Sequence, residues 1–413
     1  MKLSLDISAI KLAQIAFSAV FASCASLALA QTQSFDACIS GLRQTALSQG
    51  ISAGTFDQAM KGVEPDPDVL KSFDYQPEFR TPIWDYVAGL VDDERVADGR
   101  AMMKEWVKVL DKAEQQYGVD KYAIVAVWGV ESNFGKIQGK RELVRSLTTL
   151  VCANKRQTFF RGELMATLKI LQSGDIASDA LVGSWAGAFG QTQFMPSTYQ
   201  RLAVDFDGDG RRDIVKSVPD ALGSTANYLH RAGWVEGEPW GYEVKLPKNY
   251  SGPSGRTTKQ TLAQWKSLGI KRIEPISSVN KAQMPDTAQA ALILPAGAEG
   301  PAFLVFKNFN AIYSYNAAES YALSIAHLAD RLQGGAVFET PWPTDDAGTS
   351  RAERREIQQR LVDRGFDIGE VDGLIGTKTR VAISEFQTSV GLPSDGRAGQ
   401  RVLKALRAVS AKQ

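Results

Sequence analysis

Glu131 closes the run Tyr122-Ala123-Ile124-Val125-Ala126-Val127-Trp128-Gly129-Val130, which carries no charged residue. A segment apolar nearly all round predicts a buried helix. Positions 124, 127, 128 and 131 share one helical face, so the Glu131 carboxyl stands beside Val127 and Trp128. A carboxyl held there loses hydration, and desolvation raises its pKa. A carboxyl that keeps its proton near neutral pH is what a general acid requires. The same pattern also suits a structural Glu paired with a buried Arg, because ion pairs perturb pKa values too. The helix is expected to stop at Ser132-Asn133-Phe134-Gly135, with Gly135 as a left-handed cap.

A second constellation is Asp205-Phe206-Asp207-Gly208-Asp209-Gly210-Arg211-Arg212-Asp213. It matches the start of an EF-hand calcium loop. Asp205, Asp207, Asp209 and the Arg211 carbonyl would supply oxygen ligands, and Gly210 sits where the sharp turn falls. The twelfth position is Lys216 where a bidentate Glu is usual; Asp220 supplies two oxygens if the loop is longer. An exposed Asx-turn loop is the alternative. A third stretch, Gly187 to Ser197, mixes glycines, amides and aromatics. Amides both donate and accept, which suits sugar hydroxyls and N-acetyl groups. Tyr228, Tyr313, Tyr315 and Tyr321, with Trp185, offer flat faces for sugar rings, or pack in a core.

Composition narrows the field. The 413 residues carry a formal net charge of +1, which gives no electrostatic footprint for nucleic acid. Only His230 and His327 occur, against a His-rich zinc site or a Ser-His-Asp triad. Residues 1–30 read as a signal peptide. Lys2 and Lys11 precede an apolar stretch, and Ala28-Leu29-Ala30 matches the cleavage pattern. The expected location is therefore the periplasm. Phe21-Ala22-Ser23-Cys24 is a poor lipoprotein box, so a lipid-anchored or peripheral membrane form through Cys24 is the less favoured reading. After cleavage Cys38 and Cys152 remain, and an oxidising compartment favours their pairing over two separate thiols.

Helical spacing dominates from about Phe35 to Gly233, including a series Met103, Trp106, Val107 and Leu110. From about 236 to 307 Gly, Pro, Ser and Lys rise and β-prone pieces appear at 242–246, 291–294 and 303–306, predicting a small α+β insertion. Helix returns near Ser320. Residues 333–350 read as a linker that tethers a separate unit, 351–413. That unit is expected to hold three helices with Ile357, Leu361, Val381, Ile383, Phe386, Val402, Leu403 and Leu406 inward. Its core is thin, which favours a binding appendage over a packing or dimerisation domain.

The motifs Val130-Glu131-Ser132-Asn133-Phe134-Gly135, Gly183-Ser184-Trp185-Ala186-Gly187-Ala188, Gln193-Phe194-Met195-Pro196-Ser197, Val204 to Gly210, and Ala226-Asn227-Tyr228-Leu229 recur in order. Together they resemble the type B lytic murein transglycosylases (glycoside hydrolase family 103) over about residues 35–332. The last unit is similar to a three-helix peptidoglycan-binding module through Gln358, Leu361, Gly365, Asp372-Gly373, Gly376, Thr379, Ala382, Phe386-Gln387, Gly391-Leu392 and Asp395-Gly396. The resemblance implies a mainly α fold: a lysozyme-like helical core in residues 31–332, a small inserted α+β domain and a C-terminal three-helix module. It implies Glu131 as the only catalytic carboxyl, cleaving the N-acetylmuramic acid–N-acetylglucosamine bond of peptidoglycan strands with a 1,6-anhydromuramyl product. Glu131 would act as acid and then as base. It implies Ser184, Gln193, Tyr228, Tyr315 and Tyr321 around the substrate, no organic cofactor, and a structural Ca2+ loop closed by Asp220. A hydrolytic muramidase and an idle wall-binding scaffold are the alternatives.

Overall fold

The computed structural model describes residues 35–74, 81–273 and 283–409. The expected signal peptide and Cys24 lie outside the described residues. Among those described, no helix is long and apolar enough to cross a membrane. The described residues form two compact units, the first from 35–74, 139–189 and 194–201, the second from 81–138, 190–193, 202–273 and 283–409.

In the first unit, α1 (35–48) is followed by α2 (Ala53–Met60) and α3 (Pro67–Asp74). Ser52 caps α2 by accepting from the Thr55 amide, which satisfies one orphan donor of the first turn. Much later in the chain, α8 (Leu143–Cys152) packs on α9 (Gln157–Ser173), and Leu147, Leu150, Leu164 and Leu168 of the two helices are all buried. A short ladder, β1 (Arg141–Glu142) against β2 (Val182–Gly183), is antiparallel. Helix α10 (Pro196–Leu202) starts here. The buried Glu163 accepts from the Ser197 amide at 2.9 Å and from its hydroxyl at 2.7 Å, placing negative charge at a helix N-terminus. A disulfide joins Cys38 to Cys152, with a Cα separation of 5.8 Å across 114 residues of sequence. A crosslink closing so long a loop restricts the unfolded chain. Removing it with Cys38→Ser/Cys152→Ser should cost about 2–5 kcal/mol, read by denaturant melts. A melt unchanged by the double substitution would show that the bond does not support the fold.

The second unit is built on α7 (Lys121–Ser132). Asp120 caps it by accepting from the Tyr122 amide, and residues 123–129 are all buried. Around it pack α5 (Asp93–Glu105), α6 (Val107–Tyr117), α11 (Val218–Arg231) and α14 (Glu319–Leu332), with α4 (Ile83–Leu90) on α14. The expected series through Trp106 is not one helix. The chain breaks at Trp106 between α5 and α6, and Val107 is exposed.

The inserted region is a five-stranded sheet of β3 (Gly241–Lys245), β4 (Lys259–Thr261), β5 (Lys271–Arg272), β6 (Gln289–Ile293) and β7 (Ala302–Val305), in the order β4-β6-β7-β3-β5 with every neighbour antiparallel. Helix α12 (Leu262–Ser267) buries Trp265 with Val244, Leu292 and Leu304, and α13 (Lys307–Tyr313) leads back to the helices.

The C-terminal module holds α15 (Arg351–Val362), α16 (Thr377–Ser389) and α17 (Gln400–Ala408) around Ile357, Leu361, Ile383, Phe386, Leu403 and Leu406. Two buried glutamines repeat one device. Gln358 bonds Asp372 Oδ1 and the Gly373 amide, and Gln387 bonds Asp395 Oδ1 and the Gly396 amide. Val381 points outward, contrary to expectation, because the inward face of α16 runs through 379, 382, 383 and 386. Nor is the preceding segment a loose tether. Thr349 is fully buried and donates to the Ala398 carbonyl, and the Ala347 carbonyl accepts from the Gln400 amide.

Candidate active site

Helix α7 ends in a turn that fixes Glu131. Asn133 rather than Gly135 is the left-handed cap, and Phe134 and Gly135 also have positive φ. Asn is among the residues that tolerate this region, so the cap comes two residues earlier than expected. Gly135 has a separate reason to be glycine: a Cβ there would lie 2.6 Å from Gln191 Oε1. Ser132 donates to the Gln191 carbonyl and accepts from the Gly135 amide. Gln191 in turn accepts from Trp128 Nε1 at 3.0 Å and donates to the Val215 carbonyl. The last turn of α7 is thus pinned to residues 190–193 by buried polar bonds, none of which involves Glu131.

The Glu131 side chain is half-buried, and burial pushes its carboxyl up to about 7. The opposing influence is a hydrogen bond from the Tyr321 hydroxyl to Oε1. Both influences are neutral, so the reading of Glu131 as one half of an ion pair with a buried Arg is not what the structure shows. Tyr321 is itself buried, and its own phenol is pushed far up by burial and by Glu131. It therefore remains a donor at any physiological pH.

A row of tyrosines continues from there. Tyr315 lies near-parallel to Tyr321, with ring centroids 6.4 Å apart, and Tyr228 sits 4.5 Å from Tyr315. Tyr315 donates to the Thr192 carbonyl and Tyr228 to the Ser314 carbonyl, each at 2.6 Å. Their polar ends are held by backbone, which leaves the rings as the variable contact surface. Tyr313 instead carries the Arg256 guanidinium 3.7 Å over its ring. Gln193, with φ of 49°, donates from Nε2 to the Gln138 and Gly190 carbonyls. Ser184 belongs to the first unit, where its hydroxyl accepts from the Ala188 amide at 3.0 Å. The signal for Gln191 and Thr192 was the amide-rich stretch itself, but nothing in it distinguishes the buried Gln191 from the more exposed Gln193.

The acidic loop brings Asp205, Asp207 and Asp209 together, with one oxygen of each within 4.8 Å of the others. Asp205 accepts from the amides of Gly208, Asp209 and Gly210, and Asp209 from that of Arg211. Asp220 stands at the base of the loop, fully buried. Its Oδ1 accepts from the Phe206 and Asp207 amides and its Oδ2 from Asp213. Lys216 closes no ligand set; its amide donates to Asp213 Oδ1. Neither histidine joins a catalytic group. His327 is stacked on Phe338 at 3.9 Å and burial holds it neutral, its pKa pushed down to about 3, and His230 Nδ1 faces the Tyr117 carbonyl.

The family model described as transglycosylase SLT domain matches residues 34–330, and one for a peptidoglycan binding domain matches 350–406. Membrane-bound lytic murein transglycosylase B of Escherichia coli (strain K12) is 32% identical over 251 residues, spanning 60% of this chain and 66% of that protein. A crystal structure of SltB3 from Pseudomonas aeruginosa in complex with NAG-anhNAM-pentapeptide is 45% identical with a TM-score of 0.72, covering 91% of this chain and all of that one. The Escherichia coli lytic transglycosylase SLT35 in complex with calcium is 28% identical with a TM-score of 0.62, covering 72% of this chain and 92% of its own.

Proposed function

The chain belongs to the transglycosylase SLT domain family, and from this we infer that it is a lytic transglycosylase acting on peptidoglycan. The observation that carries the reading is Glu131: a desolvated carboxyl with a pKa of about 7, held by one neutral donor. Because Tyr321 donates to Oε1, that oxygen is an acceptor and the proton resides on Oε2. Oε2 then protonates the glycosidic oxygen between N-acetylmuramic acid and N-acetylglucosamine. The resulting Glu131 carboxylate is stabilised by the same Tyr321 bond, which lowers its proton affinity.

Ordinary glycosidases bring a second carboxylate to this step. With Glu131 as the only catalytic carboxyl, as the family resemblance implies, the step needs assistance from the muramyl N-acetyl group. Glu131 next accepts the proton of the C6 hydroxyl, which closes a 1,6-anhydro ring without water. One residue serves as acid and then base, as microscopic reversibility permits. Tyr228 and Tyr315 offer ring faces and Gln193 a polar atom to the glycan, while the buried Tyr321 acts through its hydroxyl on Glu131; Ser184 stays a candidate from the family motif alone. With Gln193 Nε2 engaged by two carbonyls, its Oε1 is the group available to accept from a sugar.

A wall substrate supports a location outside the cytoplasm, and the export signal read in residues 1–30 supports the periplasm. Purified sacculi incubated with the full chain should release soluble muramic-acid-containing fragments. Sacculi that bind the protein and remain intact would leave only the scaffold reading.

The loop of Asp205, Asp207 and Asp209 fits calcium, since three hard carboxylate oxygens converge on a turn already shaped by amide bonds. The Arg211 carbonyl and Asp220 complete the proposed set. Calcium would hold this loop and take no part in proton transfer. At one hundred times its Kd it should add about 2.7 kcal/mol of stability. A chelator that leaves the melting temperature unchanged, together with a silent Asp207→Ala, would refute the calcium site.

A further inference from the structure

The turn that ends α7 is unusual in carrying three successive residues of positive φ: Asn133 at 50°, Phe134 at 59° and Gly135 at 80°. For the two that are not glycine this is a sparsely populated conformation. It persists only where the surroundings over-determine it. Three sets of contacts do so. Ser132 bridges Gln191 and Gly135. The Phe134 ring packs so closely on Gly129 and Gly99 that a Cβ on either would approach to 2.7 or 3.1 Å. The third contact comes from the C-terminal module. Arg351 Nη1 donates to Asn133 Oδ1 at 2.6 Å.

Arg351 is the first residue of α15 and is 7% exposed. Its amide donates to Asp92 Oδ2 at 3.1 Å, its Nε lies 3.4 Å from the same oxygen, and Nη2 lies 3.6 Å from Asp98 and 3.7 Å from Glu94. Asp92 is itself the N-cap of α5, accepting from the Arg95 amide at 2.7 Å. The buried guanidinium thus lies among three carboxylates at ion-pair distance, with no hydrogen bond at Nε or Nη2, and a planar donor so placed loses little freedom in making the Nη1 bond to Asn133. Asn133 lies two residues beyond Glu131, so the bond acts on the final turn of the helix that aims the carboxyl at its partner.

We propose that Arg351 is a positioning residue for Glu131: through the Asn133 side chain, the C-terminal module holds the turn that ends the catalytic helix. The module thereby contributes to the geometry of the cut as well as to wall attachment. The proposal rests on the assignment of Glu131 as the acid. It does not require Arg351 to touch the glycan.

The test uses the full chain and a soluble glycan fragment, so that wall attachment does not enter the rate. Asn133→Gly keeps the left-handed cap and removes only the acceptor. Arg351→Met removes the donor and keeps much of the side-chain volume. Each should lower kcat with KM close to wild type, by up to about 10²-fold for a misplacement near 1 Å. The double variant should lose no more than the more affected single variant, because both changes cut the same bond. Melting curves of each variant confirm that folded protein is assayed, and Asn133→Gly decides alone if Arg351→Met does not fold. Wild-type kcat in folded Asn133→Gly, losses confined to KM, or losses that multiply in the double variant would each overturn the proposal. Glu131→Gln in the same assay separates the two readings. Turnover surviving there defeats the acid assignment, whereas turnover lost there and retained in Asn133→Gly defeats only the role of Arg351.

Discussion

Glu131→Gln should fold, bind glycan and lose nearly all turnover. Gln preserves the shape and still accepts from Tyr321, but it cannot give a proton to the leaving oxygen or take one from the C6 hydroxyl. General acid–base catalysis is worth roughly 10²–10⁴-fold, and one residue is used in both steps. The pH dependence has a definite sign. The acid must be protonated, so kcat/KM should fall as pH rises through about 7, the value to which burial pushes Glu131. Tyr321→Phe removes the bond that lowers this pKa and should move the alkaline limb to higher pH. Stability moves the other way. Because the folded pKa lies above the unfolded one, the folded state holds the proton longer, and the wild type loses stability as pH climbs from about 4.5 to 7. Glu131→Gln lacks that loss and should be the more stable protein above pH 7, by on the order of 1–3 kcal/mol. Equal stability at all pH values would mean that the carboxyl is not desolvated.

Arg397→Ala should cost about 3–5 kcal/mol, the usual penalty for stranding one partner of a buried ion pair. Arg397 forms a fork on Asp85, with Nε to Oδ2 at 2.5 Å and Nη2 to Oδ1 at 2.7 Å, and also bonds Asp346. Asp85 is buried within α4, and Arg354 donates to its carbonyl at 3.0 Å. The pair lifts the Arg397 pKa further above its ordinary value, mainly through the Asp85 bond. Replacing both partners, in Asp85→Ala/Arg397→Ala, should recover part of the loss, since no charge is then left stranded. By contrast, cutting the exposed Arg43–Asp57 pair should leave the melt almost unchanged, because solvent and salt screen such a pair. An effect that small for Arg397→Ala in denaturant melts would show that the module does not depend on this contact.

The two arginines show why module docking was illegible in the sequence. Arg351 and Arg397 lie in a stretch rich in exposed Arg and Glu, where a charge reads as solvated surface. Their partners Asp85, Asp92 and Asn133 lie more than two hundred residues away, and no periodicity connects them. Pro341 and Pro343 reinforced the tether reading, because a Pro-bearing polar segment looks the same whether it swings free or lies packed. Local signals fared better. The apolar run before Glu131 gave its helix and its desolvation, because both follow from neighbours within one turn. Strands β3, β6 and β7 were visible as short β-prone runs, while β4 and β5 were not, being short, Lys-bearing edges. Such edges resist unwanted pairing and carry little hydrophobic pattern. Val381 was misplaced by a single residue of helical phase. Tyr321 was recognisable only by its spacing in the family pattern, yet it is the residue that bonds Glu131, since a contact across 190 residues leaves no local trace.

In the proposed mechanism the C6 hydroxyl, and not water, takes the glycosyl centre after Glu131 has protonated the leaving oxygen. Digestion of purified sacculi in water enriched in the heavy oxygen isotope, followed by mass spectrometry of the muramyl ends, tests this directly. The wild type should form ends lighter by one water than a reducing sugar and free of heavy oxygen, and Glu131→Gln should form none. Reducing ends that carry the heavy isotope from the first turnover would contradict it and make the enzyme a hydrolytic muramidase.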